Sequence, residues 1–316
     1  MNTTIIENHT NLSTKPVLPV FSRHETFHPR FGWLKKGNDL ALKNPSVFSE
    51  KDAPVILGVG KNMVNAIRYW VQAFKVLDEN EDSDSKSRQF IPTEFGDRLL
   101  SDDGWDPYLE NLGSLWLLHW YLVKPISIAP SWYFGMNAMP HIEFSADEFL
   151  KGLNEFRASN FPTANSAESS LRKDMSCFLR MYAETAPQKG IKEESIDSPF
   201  TQLGLIQARR SNHYQFNIGY KPTLPSEIIV FACLEFASLA GAGQTLKLDS
   251  LLFKEGSPGF VFKLSESSLS EAILTVSRSF PDIQLTEAAG LLQFGFQGNP
   301  NELASELLDR FYKEHT

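Results

Sequence analysis

The sequence predicts an α+β fold, mainly α and multi-domain. Three observations predict it. The chain has 316 residues, 42% of them hydrophobic, enough for two or three compact units with a real core. Its strongest periodicity is helical: Met63, Ile67, Trp70, Phe74 and Leu77 make one apolar stripe. A pattern of helices closing on short strands then recurs three times along the chain.

Residues 1–14 are expected to be disordered, 15–130 to form an arm and a first module, 131–222 a second and 223–316 a third. In the first, Ser49 to Leu57 reads as a short helix with a Ser cap and acids near its start. Gly58 and Gly60 allow a tight turn, the long striped helix follows, and RQFIPTEFGDRLL reads as a strand running into a Thr-capped turn of helix. Helix, turn, helix and strand pair outline a winged helix-turn-helix, with the long helix as recognition element. DENEDSDSKSR, residues 78–88, puts five acids at the hairpin tip; they would repel phosphate, so the tip is expected to point away. LWLLHWYLVKP, residues 115–125, is a buried helix by composition, with His119 as a satisfied core histidine.

The second module opens at a capping box, Ser145 with Glu148, and its helix runs to about Phe156. Ala167 to Glu184 form another helix. LIQARRS and HYQFNIG are strands around Ser211-Asn212, with Arg209, Arg210 and His213 at an exposed turn. In the third, a helix starts after Pro225, TLKLDSLLF is short and helical, and residues 265–280 form an amphipathic helix before the strand-turn-strand IQLTEAAGLLQFGF. That helix exposes Ser267, Ser268, Glu271 and Arg278, a mixed face suited to structure or protein contact.

Charge separates the chain into unequal parts. Between Lys15 and Lys75 stand ten Lys/Arg against four Asp/Glu, a local +6 in a chain of −8, which leaves −14 elsewhere. One face is therefore expected to meet an anion. Cys177 and Cys233, far apart in apolar surroundings, indicate no disulfide framework and fit a reducing cytoplasm. The N-terminus carries no secretory signal pattern, and no stretch reaches the ~20 apolar residues of a membrane span. Gly58-Val59-Gly60-Lys61 fails as a phosphate loop, because Val55 stands where a glycine is needed and Asn62 where Ser or Thr would hold magnesium.

Opposite the apolar stripe, Lys61, Asn65, Arg68, Gln72 and Lys75 follow one another at intervals of four, three, four and three, so they share a helix face. No acid interrupts them. Lys and Arg suit phosphates; Asn, Gln and Arg read base edges. With Asn62 at the helix start, this ridge is the candidate DNA-binding element. The arm FSRHETFHPRFGWLKKG adds Arg23, Arg30, Lys35 and Lys36, with Phe21, Phe27, Phe31 and Trp33 between them. Cations alternating with aromatics suit phosphates and unstacked bases; equally, the aromatics can pack against the first module.

His24-Glu25-Thr26-Phe27-His28 matches the H-E-x-x-H of zinc hydrolases in letters only. That motif needs a helix, and Pro29 directly after His28 with Pro19 upstream prevents one of useful length. The segment still offers a metal ligand, Glu25, and general bases, His24 and His28, inside the cationic region. The second carboxylate group is SDDGWDPYLE, with Asp102, Asp103 and Asp106 as candidate ligands for magnesium, which takes one or two carboxylates plus waters and substrate phosphate. The competing reading of these acids is turn and cap chemistry at Asp103-Gly104 and Asp106-Pro107.

FSRHETFHPRFGWLKKG, LGVGKNMVNAIRYW, PTEFGDRLL, DDGWDPYLE and LWLLHWYL, with ESIDSPFTQLGLI, YKPTLPSEIIVFACLEF and SPGFVFKL further on, resemble a bacterial family long catalogued as a domain of unknown function. Its best-understood member is the nicking subunit of single-stranded DNA phosphorothioation systems. The resemblance covers nearly the whole chain. It implies a Mg2+-dependent DNA nickase in the cytoplasm. Its partners would be DNA, a cysteine desulfurase, an ATP-pyrophosphatase-like sulfur transferase and an ATPase. Together they replace a non-bridging phosphate oxygen by sulfur, a mark used in antiviral defence. No nuclease signature stands out, so the alternative is a non-enzymatic DNA-binding adaptor or regulator that recruits the sulfur-transfer machinery.

Overall fold

The computed structural model describes residues 20–80, 87–125, 127–163, 166–183, 198–209 and 212–315. The expected disordered residues 1–14, most of the acidic hairpin tip, and Arg210 with Ser211 lie outside them. The fold is α+β and mainly helical, as the sequence predicts. Helices α1 (Trp33–Lys43), α2 (Ala53–Leu57) and α3 (Lys61–Ala73) precede an antiparallel pair, β1 (Leu77–Glu79) with β2 (Phe90–Pro92), then α4 (Glu94–Leu100), α5 (Leu112–Val123) and α6 (Pro130–Tyr133). The middle segment holds β3 (Glu143–Ser145), α7 (Ala146–Asn160), α8 (Glu168–Tyr182), β4 (Ile206–Ala208) and β5 (His213–Phe216). The last holds α9 (Ser226–Leu239), β6 (Thr245–Lys247), α10 (Leu248–Phe253), α11 (Pro258–Phe262), α12 (Glu266–Ser277), β7 (Ile283–Ala288), β8 (Leu291–Phe296) and α13 (Pro300–His315).

Helices followed by a hairpin do recur three times, and the two later hairpins each gain a third strand. The sheets run β3-β5-β4 and β6-β8-β7, antiparallel throughout. β3 and β6 are three residues long and carry no alternation to read, and TLKLDSLLF proves to be β6 running into α10 rather than one helix. Ala288 pairs with Leu291 across Ala289 and Gly290, both at positive φ, the backbone that a two-residue hairpin turn requires. The capping box at Ser145 and Glu148 forms and opens α7. The helix expected from Ser49 begins only at Ala53, after a separate 3-10 turn at Val47–Ser49.

The arm is not extended. It turns repeatedly, with Ser22, Glu25 and Thr26 all at positive φ. α4 sits hard against the segment that follows α3: a Cβ on Gly96 would lie 2.1 Å from the Val76 carbonyl oxygen, so only glycine fits there. Thr93 caps this helix through the Gly96 N–H at 2.9 Å while its hydroxyl donates to Lys75 O.

α5 ties the segments into one core. Its Leu115, Trp116, Leu117, Leu118 and Trp120 are buried. His119 accepts from Tyr182 Oη at 2.8 Å and donates to Val261 O at 3.0 Å, so it is the satisfied core histidine expected, and burial lowers its pKa to about 4. α13 returns to the first segment: Arg98 pairs with Asp309, Trp105 stacks on Tyr312 at 4.9 Å, and Ser114 meets Tyr312 Oη at 2.9 Å. Cys177 and Cys233 are both free and buried.

Candidate nucleic-acid interface

α3 buries Val64, Ala66, Ile67, Tyr69, Trp70, Val71 and Ala73. This leaves Lys61 and Asn62 exposed and Asn65, Arg68 and Gln72 half-exposed along the other face. The ridge is thus real over its first three turns. Lys75 does not belong to it. The helix ends at Ala73, Lys75 takes φ 57, and its ammonium turns inward to the Tyr121 carbonyl. Burial, with help from Lys124, lowers its pKa to about 7.

The arm lies against this helix. Trp70 Nε1 donates to Phe27 O at 2.9 Å, and Asn65 Nδ2 approaches Glu25 Oε1 at 3.4 Å. Arg23 is exposed beside them. Burial lowers the Arg68 pKa, and the neighbouring cations Arg88 and Arg23 lower it further, against Glu79 and Glu25. Among the described residues neither Arg23 nor Arg68 makes a hydrogen bond or ion pair. Arg88, which the sequence reading did not single out, chelates Glu79 across the hairpin.

The two histidines are elsewhere. His24 is fully buried: Nε2 donates to Asp174 Oδ1 at 2.8 Å, the Thr26 N–H donates to Nδ1 at 3.1 Å, and Trp132, Trp70 and Tyr69 surround the ring. Burial would depress its pKa, but Cys177 and Asp174 outweigh burial and raise it. Asp174 also takes the Ser22 N–H at 2.7 Å and the Ser131 hydroxyl at 2.6 Å. His24 is therefore the peg that fixes the arm to α8, with no atom free for a substrate proton. His28 is buried too, its Nδ1 at 3.2 Å from Pro29 O. Of the three catalytic candidates, Glu25 alone reaches the cationic face.

The rest of the arm divides. Arg30 lies over the Phe27 and Trp33 rings at 5.7 and 5.4 Å. Lys35 is buried and doubly ion-paired, to Asp39 at 2.8 Å and Asp102 at 2.6 Å; this removes it from the list of phosphate contacts. Lys36 is exposed, with its ammonium on Leu57 O at 3.1 Å. Phe21 and Trp33 are core, and Phe31 is the arm aromatic that stands out to solvent. It borders a cleft of about 750 Å³ lined also by Lys36, Lys43, Val55, Ile56 and Tyr108.

The acidic turn follows its fold-building reading. Lys35 occupies Asp102 and holds its carboxyl below the usual range. Asp106 is buried and accepts the Glu110 and Asn111 N–H groups at 2.9 and 3.0 Å. Asp103 is left exposed. Among the described residues no three His, Cys, Asp or Glu side chains gather as a metal group, and in the turn Asp102 is ion-paired to Lys35 while Asp106 accepts two backbone N–H groups. Glu25 offers a single carboxylate facing the cations.

Such a fold and face define an α+β, mainly helical protein in which Arg23 and Arg68, neither hydrogen-bonded nor ion-paired among the described residues, stand beside an arm pegged by a buried histidine. The model of the family described as "Protein of unknown function (DUF4007)" matches residues 21–312, and the chain belongs to that family. Two solved structures of SspB are similar over 93% of this chain and 88% of theirs. A magnesium ion-bound crystal structure is 38% identical with a TM-score of 0.86, and a second crystal structure is 39% identical with a TM-score of 0.87. No curated protein matches the chain. No helix among the described residues is long and apolar enough to cross a membrane.

Proposed function

We propose that this protein binds DNA through α3 and the adjoining arm, and nicks it in a phosphorothioate-modification system like that of SspB. The observation that carries the reading is that Arg23 and Arg68, each acting on the other, make no hydrogen bond or ion pair among the described residues although Glu25 and Glu79 are near Arg68. Like charges held together at a surface oppose folding; they are retained where an anion neutralises them. Lys61, Asn62, Asn65 and Gln72 continue the same face, with Arg30 and Lys36 on the arm side. Glu25, set against Asn65, would hold a magnesium ion jointly with a DNA phosphate, since one carboxylate plus waters and phosphate is an ordinary set for that ion. Such an ion would stabilise charge at the attacked phosphodiester. The desulfurase, sulfur transferase and ATPase of such a system are its proposed partners, in the cytoplasm.

The second reading, a DNA-binding adaptor without nicking activity, is favoured by one observation: both arm histidines are engaged in the interior. A single experiment separates the two. Supercoiled plasmid is incubated with purified protein and magnesium, in wild type and in Glu25→Ala. Relaxation lost in Glu25→Ala supports the nickase. Retained binding with no relaxation in wild type establishes the adaptor. Arg68→Ala is expected to lower affinity for duplex DNA and to flatten the log–log salt dependence by about 0.9 per lost phosphate contact. An unchanged slope would assign this face to protein contact.

A further inference from the structure

The arm is held from two sides, and only one of them is foreseen in the sequence. On the far side lies α8. Asp174 and Cys177 face His24, Asp174 also takes the Ser22 N–H, and an Arg180 guanidinium nitrogen donates to Thr26 O at 2.5 Å. The flank of α8 that meets Thr26 carries Ser169, Lys173, Ser176 and Arg180 at intervals of four, three and four. That is the same spacing as Lys61, Asn65, Arg68 and Gln72 on α3, and it places the four on one line. Ser169, Lys173 and Ser176 are exposed. No acid interrupts the line. The acid-base pair on the outer surface of this helix, Arg172 with Glu168 at 2.8 Å, borders the line, since Arg172 lies three residues after Ser169 and four before Ser176.

We infer that this α8 flank is the second wall of the DNA-binding face, so that a phosphate backbone is gripped between α3 and α8 with the arm as its floor. The inference rests on the DNA-binding reading above and extends it to residues some hundred positions further along the chain. Arg180 has two tasks: it holds the Thr26 carbonyl, which presents Arg23 and Glu25, and it adds its charge to the wall. Lys173 has no tether among the described residues and contacts phosphate directly. Ser169 and Ser176 are short enough to let the backbone approach and can donate hydroxyls to phosphate oxygens.

The test measures duplex affinity by fluorescence anisotropy across a salt series, in full-length protein. Lys173→Ala is expected to reduce the salt slope by about 0.9, one phosphate contact. Lys173→Glu should weaken binding about tenfold or more at low salt. Lys313→Ala, which removes an exposed lysine near the end of α13, should change neither. Circular dichroism and thermal melting of each variant confirm that exposed changes leave the fold intact. If Lys173→Ala keeps the wild-type slope while Arg68→Ala loses its contact, the second wall is wrong and the α3 reading stands. If Arg68→Ala also keeps the slope, the DNA-binding reading itself falls. Equal losses from Lys313→Ala and Lys173→Ala would reduce the effect to net charge and overturn the wall.

Discussion

Asp174 is the residue on which the arm's placement depends, and its removal has a calculable cost. The carboxylate is buried and accepts three hydrogen bonds: from Ser22 N at 2.7 Å, His24 Nε2 at 2.8 Å and Ser131 Oγ at 2.6 Å. In Asp174→Ala three donors lose their acceptor, and the His24 ring stays sealed among Trp70, Trp132 and Tyr69. A hydrogen bond to a charged group contributes ~1.5–3 kcal/mol, and each buried donor left unmade costs ~1–3 kcal/mol. These terms do not add fully, because the arm can peel away and let water reach Ser22. A loss of ~3–5 kcal/mol is expected from the three lost hydrogen bonds together. Asp174→Asn keeps one acceptor oxygen and should cost about half as much. Urea unfolding followed by tryptophan fluorescence gives the stability, since two tryptophans line the His24 pocket. Trypsin cleavage at Arg23 and Arg30 gives the state of the arm, and should accelerate in Asp174→Ala. A variant within ~0.5 kcal/mol of wild type, the spread of ordinary surface substitutions, with unchanged arm cleavage, would refute the clamp.

Two further outcomes follow from the interior. Gly96→Ala places a methyl 2.1 Å from Val76 O and should destabilise by ~1–3 kcal/mol or more through forced backbone movement. Gly60→Ala has open space and ordinary φ and should be nearly neutral; equal melting temperatures for the two would sink the packing argument. Lys75 is half-buried with its ammonium turned inward, Lys263 is buried, and removal of each ammonium from water lowers its pKa to about 7. Between about pH 7 and the ordinary lysine value, the unfolded chain binds more protons than the folded one. Stability therefore rises with pH across that window and is lowest once both states are protonated below it. The urea midpoint should climb between pH 7 and 9, and Lys75→Met should flatten part of the climb; a midpoint that falls there contradicts the burial.

How much was legible beforehand depends on the range of the interaction. Local order carried far. The α3 stripe as far as Trp70, the Ser145–Glu148 box, the strand-turn-strand ending at Phe296 and the core role of His119 are all read from neighbours within a few positions; Phe74 and Leu77, expected on the same stripe, lie past the helix end and in β1. α13 is equally local: Leu303, Leu307, Leu308, Phe311 and Tyr312 have helical spacing and Pro300 suits a first turn. Lys75 fits the ridge in periodicity but leaves it in space, because a positive φ after Ala73 ends the helix and turns the side chain inward.

The sequence by itself determined a mainly helical α+β chain, a basic front on an acidic molecule, and an acid-free line on one helix. These follow from residue type and from the 3.6-residue period, which need no distant partner. Only tertiary structure decided which of the front's cations are free. Asp102, 67 positions from Lys35, neutralises it; Asp174, 150 from His24, buries the histidine that sequence nominates as a base; and α8 arrives beside the arm with cations of its own. Charge pairing at such separations is set by how helices pack, and packing is a property of the whole chain.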